Sequence, residues 1–410
     1  MNRRRFLKAT ALVPALTLLP LGRYGWAARA PEGERSAKRL VVVFLRGAVD
    51  GLNVVIPYRE SAYHDGRPTI AIPERGDGAA LALDDRFGLH PALAGLLPLW
   101  KERQLAFVHA CGSPDPTRSH FDAQDYMESG TPGRKSTGDG WMNRLLATLP
   151  ATRDEPRAVS FGPTLPRILD GRRPVSNVAV GKQAGKPMAI DRAPISNAFD
   201  RMYQGSDALS IAYREGQAAR RRMLALLEQD MEQSNNDAPS ALGFAGIAEQ
   251  AGRLLARDPG IRLAFLAVGG WDTHVNQGGA TGPLANHLRP LGDGLAALAR
   301  LLGPGFADTT IVVMSEFGRT VNENGNGGTD HGHGNVLWLL GGGVHGGKVY
   351  GTWPGLAPEA LYEGRDLAAT TDFREALAAV LTGHLGLSSS ELTTVFPGYR
   401  VNNKLGRLLA

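Results

Sequence analysis

The sequence contains a single cysteine, Cys111, among 410 residues. One cysteine excludes an internal disulfide, and it leaves no set of thiolates that could hold a metal. We expect Cys111 to be a small core residue rather than a catalytic thiol. A protein that folds in the reducing cytoplasm and is exported afterwards has little use for disulfides and can take up a metal before export.

Acidic residues are missing from the first thirty positions, which hold six basic residues. The whole chain has 45 lysines and arginines against 40 aspartates and glutamates, a formal net charge of +5. Without those six, 39 basic residues face 40 acidic ones, so the body of the protein carries a net charge of −1. The basic surplus therefore belongs to the N-terminal segment, and we expect no nucleic-acid partner.

The N-terminal segment has the organisation of an export signal. Arg3, Arg4 and Arg5 precede an apolar stretch over residues 9–21, and small residues follow at 27, 28 and 30. Paired arginines followed by x-Phe-Leu-Lys are typical of twin-arginine signals. We expect residues 1–30 to be a signal peptide that the twin-arginine translocation machinery recognises, and the mature protein to be periplasmic or extracellular. The alternative is a basic amphipathic anchor that stays attached.

Long apolar runs and disordered composition are absent as well. No later stretch reaches the roughly 20 apolar residues of a spanning helix, so we expect no stable membrane span. Apolar residues make up 43% and charged residues 21% of the chain, enough to bury a sizeable core. The 52 glycines are clustered rather than periodic, which is typical of tight turns and of close backbone approach to ligands.

Apolar runs predict the strands. Leu40–Leu45 is continuous and β-branched, as in a strand buried on both faces of a parallel sheet. Further strands are predicted at 105–110, 261–268, 309–314 and 336–340. Helical patterns lie between them, at 91–103, from about 119, at 284–302 and at 372–384. The alternation predicts an α/β fold with a mainly parallel central sheet flanked by helices, with an irregular and helical insertion over 130–257.

Carboxylates and imidazoles follow these strands. In chain order they are Asp50, Asp272, His274, Glu316, His331 and His333. In open α/β sheets, ligands bind beyond the carboxyl ends of the strands, and the loop with the last two histidines could return to that edge. Carboxylates and imidazoles without thiolates suit zinc, manganese or iron. Two such groups could hold two ions about 4 Å apart.

Each of these residues also has a structural interpretation. Asp50 precedes a glycine and suits a turn, while Glu316 could cap a helix or pair with Arg319. The two loop histidines could be solvated. Because such groups follow four different strands, one shared site explains them better than four unrelated structural roles.

Familiar catalytic motifs are missing. Residues 342–348 match the pattern G-x-x-x-x-G-K, but Val349 stands where a phosphate loop has the Ser or Thr that meets Mg²⁺. The sequence has no G-x-S-x-G elbow and no H-E-x-x-H helix. We therefore expect neither a nucleotide-binding phosphate loop nor these two kinds of hydrolase site.

Six segments together resemble domain-of-unknown-function family 1501. They are the twin-arginine leader, Phe44–Asn53, Arg118–Gln124, Gly269–His274, Ser315–Thr320 and Gly328–His331. They occur in order over nearly all of the mature chain. That family is grouped with the alkaline phosphatase and sulfatase superfamily, whose members carry a nucleophile and one or two metals at the ends of a parallel sheet. The resemblance implies a single alkaline phosphatase-like domain over 38–400 and a hydrolase.

The resemblance also implies metal ligands. Asp50 matches the metal aspartate of the superfamily's first strand. Asp272 and His274 match the Asp and His of one metal site, although the superfamily often spaces them more widely. His331 matches the last metal histidine, with His333 as a substitute.

Glu316 matches a superfamily aspartate that is commonly followed by histidine, but Phe317 follows it here. This departure removes one ligand from a second metal site. We therefore expect one or two divalent ions, with zinc as the first candidate and manganese, iron or calcium as the others.

Ser119, before a predicted helix, matches the position of the superfamily's nucleophilic Ser, Thr or modified Cys. A metal and the positive helix end would both favour its alkoxide there. His120 is our second choice for a catalytic or ligand role. The structural alternative for Ser119 is a helix N-cap. Four residues are expected to hold a phosphate or sulfate group: Arg46, Asn53, Arg118 and Arg319.

Three functions follow. The first is an exported metal-dependent hydrolase of small phosphate or sulfate esters. The second is a metal-containing scaffold or assembly protein without turnover, which the missing ligand at Phe317 supports. The third is an exported protein that binds an anionic sugar. Metal analysis together with a screen of aryl phosphates, phosphodiesters and sulfates separates them.

Replacing Arg3 and Arg4 with lysine should leave the protein folded but retained in the cytoplasm. The translocation receptor reads the paired arginines, whereas the fold begins near Lys38. Immunoblotting of cell fractions measures the retention, and the same replacement at Arg23 and Arg29 is the control that should not impair export. Unimpaired export of the Arg3 and Arg4 variant would show that another route is used.

Overall fold

In the computed structural model, the described residues are 38–135, 137–150, 157–178, 238–402, 405 and 408–409. They belong to one unit of the chain, which begins at Ala37. The predicted signal peptide, residues 1–30, lies outside the described residues. Among the helices of the described part, none combines the length and the apolar character that crossing a bilayer requires.

The five predicted strands are confirmed to within two residues at each end. They are β1, β5, β8, β9 and β10 in the full set of described strands. That set is β1 Arg39–Leu45, β2 Val55–Ile56, β3 Leu81–Ala82, β4 Gly88–Leu89, β5 Leu105–Gly112, β6 Arg157–Phe161, β7 Ser176–Val178, β8 Ile261–Val268, β9 Thr309–Ser315, β10 Asn335–Gly341, β11 Lys348–Tyr350 and β12 Thr371–Asp372.

The predicted helices are also present. The α-helices of the described residues are α1 Gly51–Val54, α2 Ser61–Asp65, α3 Leu97–Lys101, α4 His120–Ser129, α5 Trp141–Thr148, α6 Phe244–Arg257, α7 Pro283–Leu302, α8 Phe373–Leu385 and α9 Ser389–Val395. The pattern at 91–103 divides into a 3₁₀ segment, Pro91–Leu96, and α3. Each piece has a proline near its start, and proline favours the first turn of a helix.

The central sheet is mixed but mostly parallel, as predicted. Its strand order is β11-β5-β10-β9-β1-β8-β6-β7, and β12 also pairs with β5. β1 pairs in parallel with β8 and β9, so that Leu45 lies opposite Val268 and Ser315. The carboxyl ends of these three strands therefore lie side by side. A small antiparallel sheet, β2-β4-β3, lies outside this order.

β10 runs antiparallel to both of its neighbours, β5 and β9. Its first residue, Asn335, pairs with Cys111 near the carboxyl end of β5. The start of β10 thus lies at the edge where β1, β5, β8 and β9 end. This reversal brings the loop that carries His331 to the same edge as the residues after β8.

Helices cover both faces of the sheet, because alternate residues of β1 belong to different hydrophobic cores. Val41 and Val43 belong to the core that includes residues of α6 and α7. Leu40 and Val42 belong to the core that includes residues of α5 and α8. All four side chains are fully buried. This explains the unbroken apolar run, since neither face of the strand meets water.

The prediction of an irregular and helical insertion over 130–257 is wrong in part. Arg157–Phe161, strand β6, pairs in parallel with β8 and belongs to the central sheet. The run is only five residues long and lies between segments rich in glycine, proline and arginine, so its apolar pattern is weak. α6 confirms the helical end of the range. Residues 179–237, which carry most of the predicted helical pattern, lie outside the described residues.

A fully buried ion pair anchors the chain after β1. Arg67 donates to both carboxylate oxygens of Asp50, at 2.5 and 3.1 Å, and neither side chain has exposed surface. Arg67 also donates to the backbone oxygens of Thr320 and Val321, at 2.9 and 2.8 Å. The pair therefore joins the segment after β1 to the segment after β9, near the edge where both strands end.

The variant Arg67→Met should lower the free energy of unfolding by about 3–5 kcal/mol, because Asp50 would keep a buried charge without its partner. Urea denaturation followed by tryptophan fluorescence measures the change. The matched control is Arg75→Met, since Arg75 is 90% exposed and lies 3.8 Å from Glu74. Exposed pairs contribute little, so the control should hardly change the free energy. Equal effects of the two variants would contradict the anchoring role.

Candidate metal centre

Three histidines and one aspartate converge at the carboxyl edge of the central sheet. Nε2 of His331 lies 2.9 Å from Nε2 of His120 and 3.0 Å from Nε2 of His274. Asp272 Oδ1 lies 3.0 Å from Nε2 of His274 and 3.5 Å from Nε2 of His331, and Oδ2 lies 3.6 Å from Nε2 of His120. We call these four residues the metal centre. The predicted convergence of Asp272, His274 and His331 is therefore present, and His120 joins them.

The other ring nitrogen of each histidine faces an oxygen acceptor. Nδ1 of His120 lies 2.8 Å from Glu316 Oε1, and Nδ1 of His274 lies 3.1 Å from Asp330 Oδ1. Nδ1 of His331 lies 2.9 Å from the carbonyl oxygen of Arg118. Because these oxygens only accept, each Nδ1 donates its proton outward. In the neutral rings the lone pairs of the three Nε2 atoms then point toward one another.

This arrangement fits a metal ion. Lone pairs about 3 Å apart repel each other unless a cation lies between them. Ligand atoms of His120, Asp272 and His331 all lie within 4.8 Å of one another. Imidazole nitrogens with a carboxylate oxygen suit zinc and related ions. Metal-binding histidines ordinarily donate their second N–H to a carboxylate or a backbone carbonyl, as all three do here.

The charges of the metal centre depend on one another. Burial alone would raise the pKa of Asp272, but its contacts with the three histidines and the charge of Arg319 hold that pKa well below its usual range. Burial opposes the charged form of His120, yet hydrogen bonds to Asp272 and Glu316 raise its pKa to about 9. The hydrogen bond to Asp272 also raises the pKa of His274. Protons therefore supply positive charge that a bound cation would displace.

The metal centre is open to solvent on one side. The exposed fraction of the side chain rises from 10% for His120 to 25% for His331 and 38% for His274. Structural zinc sites are closed by four protein ligands, whereas catalytic sites keep a position for water or substrate. The exposure of His274 therefore favours a site that a small molecule can reach.

Arg319 fixes the base of the metal centre. Its guanidinium has no exposed surface and donates to Asp272 Oδ1 at 2.5 Å. It also donates to the backbone oxygens of Gly47, Ala48 and Thr329, at 2.6, 2.6 and 3.0 Å. Gly47 has a φ of +108°, and a Cβ there would lie 2.8 Å from the backbone nitrogen of Asp272. Only glycine allows this close approach of the two loops.

Glu316 lies next to the metal centre but is not one of the converging ligands. Its Oε1 accepts from His120, from the Gly47 N–H at 2.8 Å and from Gln124 at 3.0 Å, while Oε2 accepts from Ser315 at 2.9 Å. Burial opposes its charge, but the hydrogen bond and charge of His120 lower its pKa to about 2. Glu316 therefore orients His120 as an anionic acceptor.

Asp50 and His333, both predicted as ligands, lie outside the converging group. The carboxylate of Asp50 is bound by Arg67 and, at 2.7 Å, by Gln277. Gln277 in turn accepts from Thr273 and Thr329, so Asp50 supports two loops that carry the centre. Nε2 of His333 lies 3.1 Å from the carbonyl oxygen of Ser113, and its ring packs on Tyr362. The carboxylate of Asp50 and Nε2 of His333 thus have protein partners, while Nδ1 of His333 is buried without one.

Ser119 is exposed and forms the N-cap of α4, where its Oγ accepts from the N–H of Asp122 at 3.4 Å. This matches its structural interpretation. The residues on either side of it both reach the metal centre, Arg118 through its carbonyl oxygen and His120 through its ring. Ser119 therefore lies at the solvent side of a chain segment that is tied to the centre at two points.

The four residues predicted to hold an anion all have protein partners. Arg46 donates to Glu128 at 2.5 Å and to Gln124, and Asn53 donates to Ile70. Arg118 donates to Asp366 at 2.7 Å and to Glu363 at 2.6 Å. Arg319 binds Asp272 and the loops. Their positions in the sequence place them near the site, but the carboxylates that pair with the three arginines come from distant parts of the chain.

Gln124 is a residue that the sequence analysis missed. It accepts from Arg46 and donates to Glu316, which accepts from His120. A continuous set of hydrogen bonds thus joins the buried Arg46 to a ligand of the metal centre. The available signal was its spacing, because residues four apart lie on one face of a helix and Gln124 follows His120 by four.

Comparison with solved structures finds distant likenesses. The C-terminal periplasmic domain of EcEptC from Escherichia coli in complex with Zn has 11% identity over 92% of this chain and 93% of that chain, with a TM-score of 0.41. A protein in the alkaline phosphatase superfamily from Vibrio parahaemolyticus has 10% identity over 75% and 61%, with a TM-score of 0.36. PsFucS1 sulfatase from Pseudoalteromonas sp. has 12% identity over 91% and 72%, with a TM-score of 0.40.

The search among curated proteins gives no match to this sequence. A family model, by contrast, covers most of the chain. The model is described as Protein of unknown function (DUF1501) and matches residues 37–396. The chain therefore belongs to the DUF1501 family, as its six sequence segments predict.

Proposed function

We propose that the protein is an exported hydrolase of phosphate or sulfate esters that depends on one metal ion. The observation that carries the proposal is the convergence of three imidazole Nε2 atoms and the Asp272 carboxylate in a centre that solvent reaches. His120, Asp272 and His331 would hold the ion, with His274 on the open side. When bound, the ion supplies a Lewis acid for the ester oxygens.

Ser119 is the proposed nucleophile. Its hydroxyl is exposed, and the chain on both sides of it is fixed to the metal centre through Arg118 and His120. It stands at the N-terminus of α4, whose dipole favours negative charge and so the alkoxide form. Ser119 Oγ would lose its proton and bond to phosphorus or sulfur while the P–O or S–O bond of the ester breaks, and the alkoxide would take up a proton and leave as the alcohol. Water would then hydrolyse the serine ester, which releases phosphate or sulfate and restores the hydroxyl.

A cavity of about 310 Å³ offers room for the rest of the ester. It lies beyond the carboxyl ends of β6 and β8, and its lining includes Arg46, Phe161, Phe265 and Ala267. Ligands of α/β sheets bind at that edge. The two arginines of the lining, Arg46 and Arg167, already pair with Glu128 and Asp125, so the cavity lining adds little free positive charge. These features favour an ester with a partly apolar alcohol group.

A metal-containing protein without turnover is the second candidate. The observation that favours it is that Arg46, Arg118 and Arg319 are all paired with carboxylates. A phosphate or sulfate ester would then depend on the metal and the α4 terminus for charge compensation. The same pairing weighs against binding of an anionic sugar at this edge, because that ligand also needs unpaired cations.

Purified protein should contain about one equivalent of metal per chain, with zinc expected first. His331→Ala should abolish metal retention through gel filtration, because it removes a converging ligand. Glu316→Gln should weaken the affinity about 10- to 100-fold, since it loosens the outer hydrogen bond of His120. Elemental analysis and competition with a chromogenic chelator measure both effects.

His333→Ala is the matched control for metal retention. His333 is the same residue type, two positions away, with Ser113 rather than the metal centre as its partner. This variant should keep its metal. Loss of metal from His333→Ala with retention in His331→Ala would refute the assignment of ligands.

Ser119→Ala should keep its metal and lose only the cap, about 1 kcal/mol of stability. Its turnover of an aryl phosphate, phosphodiester or sulfate that the native protein hydrolyses should fall by orders of magnitude, because the attacking atom is gone. Ser388→Ala is the control, since it removes the N-cap of α9 without touching the centre.

Three other outcomes of this assay are informative. If Ser119→Ala retains turnover that His331→Ala has lost, water is the nucleophile and Ser119 only caps its helix. If Ser388→Ala loses turnover as well, the effect is one of stability. If the metal-loaded native protein hydrolyses none of the three ester types, the candidate without turnover takes the place of the hydrolase.

A further inference from the structure

Two adjoining cavities form a groove whose lining residues all lie outside the metal centre. One cavity, of about 530 Å³, is lined by residues 59–60, 85–86 and 353–357. The other, of about 320 Å³, is lined by residues 84–87, His109, 349–351 and 353. They share Asp85, Arg86 and Trp353. We call the two cavities together the Trp353 groove.

Trp353 is held in place without a ligand. Its indole N–H donates to Glu60, and the second oxygen of Glu60 accepts from the N–H of Leu356 at 3.2 Å. The rings of Phe87 and His109 meet the indole edge to face, with centroids 5.2 and 4.6 Å away. The indole is nevertheless partly exposed. The groove thus presents part of an aromatic ring whose orientation is set in advance, which lowers the entropic cost of binding.

Polar side chains at the rim of the groove are available to a ligand. Arg59 is about half exposed, and its contacts to Glu74 and Asp85, at 3.9 and 3.8 Å, are too long for hydrogen bonds. Asp85 is fully exposed. Arg86 is exposed, and within the described residues its guanidinium makes no ion pair. Donors and acceptors therefore stand on the same rim beside the indole.

The charged residues of the groove carry a formal net charge of −1. Two arginines, Arg59 and Arg86, face three carboxylates, those of Glu60, Asp84 and Asp85. A lining without an excess of positive charge does not attract a phosphate or sulfate group. The ligand of the groove should therefore differ from the anionic ester that is proposed for the metal centre. The ligand that fits is uncharged and has an apolar face for the indole and hydroxyl groups for the rim.

We propose that the Trp353 groove binds a neutral carbohydrate chain. The C–H face of a sugar ring would lie on the indole of Trp353, because both surfaces are flat and apolar. The ring hydroxyls would hydrogen-bond to Arg86 and Asp85, which supply a donor and an acceptor. Two adjoining cavities give room for neighbouring sugar units. This binding function goes beyond the proposed hydrolase and does not depend on the metal.

The test is titration calorimetry of the metal-loaded mature chain with four neutral hexasaccharides, those of glucose in α1,4 and β1,4 linkage, of N-acetylglucosamine and of mannose. At least one should bind. Trp353→Ala should weaken that binding about tenfold or more, and Trp353→Phe should restore much of it. Phe121→Ala, which removes a 77% exposed aromatic ring outside the groove, is the control that should bind normally.

Asp85→Ala tests the groove without the risk of misfolding, because a fully exposed side chain can be removed without disturbing the core. It should also weaken binding, with an unchanged melting temperature and metal content. The proposal is overturned if none of the four sugars binds, if Trp353→Ala and Asp85→Ala bind as the native protein does, or if only an anionic polysaccharide such as heparin binds. Ester hydrolysis measured on the same variants shows separately whether the metal centre works.

Discussion

The buried guanidinium of Arg319 is the interaction on which the metal centre depends. A charged group without exposed surface must have its donors satisfied inside the protein. The acceptors here are the backbone oxygens of Gly47, Ala48 and Thr329 and the carboxylate of Asp272. They belong to the loops after β1, after β8 and before β10. One side chain therefore fixes three loops relative to one another, and it fixes Asp272 among the histidines.

Local sequence patterns were sufficient to predict most of the fold. Continuous apolar runs such as Leu40–Leu45 are visible in the sequence because both faces of the strand are buried. Asp272, His274 and His331 could be placed near one another because polar residues at the ends of parallel strands share an edge. β6 was missed, since five residues among glycines and prolines do not establish a pattern.

Partnerships between distant residues could not be predicted in the same way. Asp50 has the residue type and the position expected of a ligand. Its carboxylate oxygens instead accept hydrogen bonds from Arg67 and from Gln277, which is 227 residues away. Glu316 accepts a hydrogen bond from His120, which is 196 residues away, and so orients a proposed ligand. The antiparallel direction of β10 could not be predicted either, because an apolar run does not show in which direction its strand crosses the sheet. Each of these outcomes depends on pairing across the fold.

Phe317 explains why a single metal ion is the better proposal. Its ring centroid lies 4.9 Å from that of His120 and 5.1 Å from that of His331, so it packs against two members of the centre. An apolar ring in contact with two of these histidines offers no donor atom on that side for a second ion. Two-metal clamps stabilise both the attacking and the leaving oxygen. In the proposed hydrolase, a one-metal centre would leave part of that task to the protein, and we assign it to the exposed N-terminus of α4 beside Ser119.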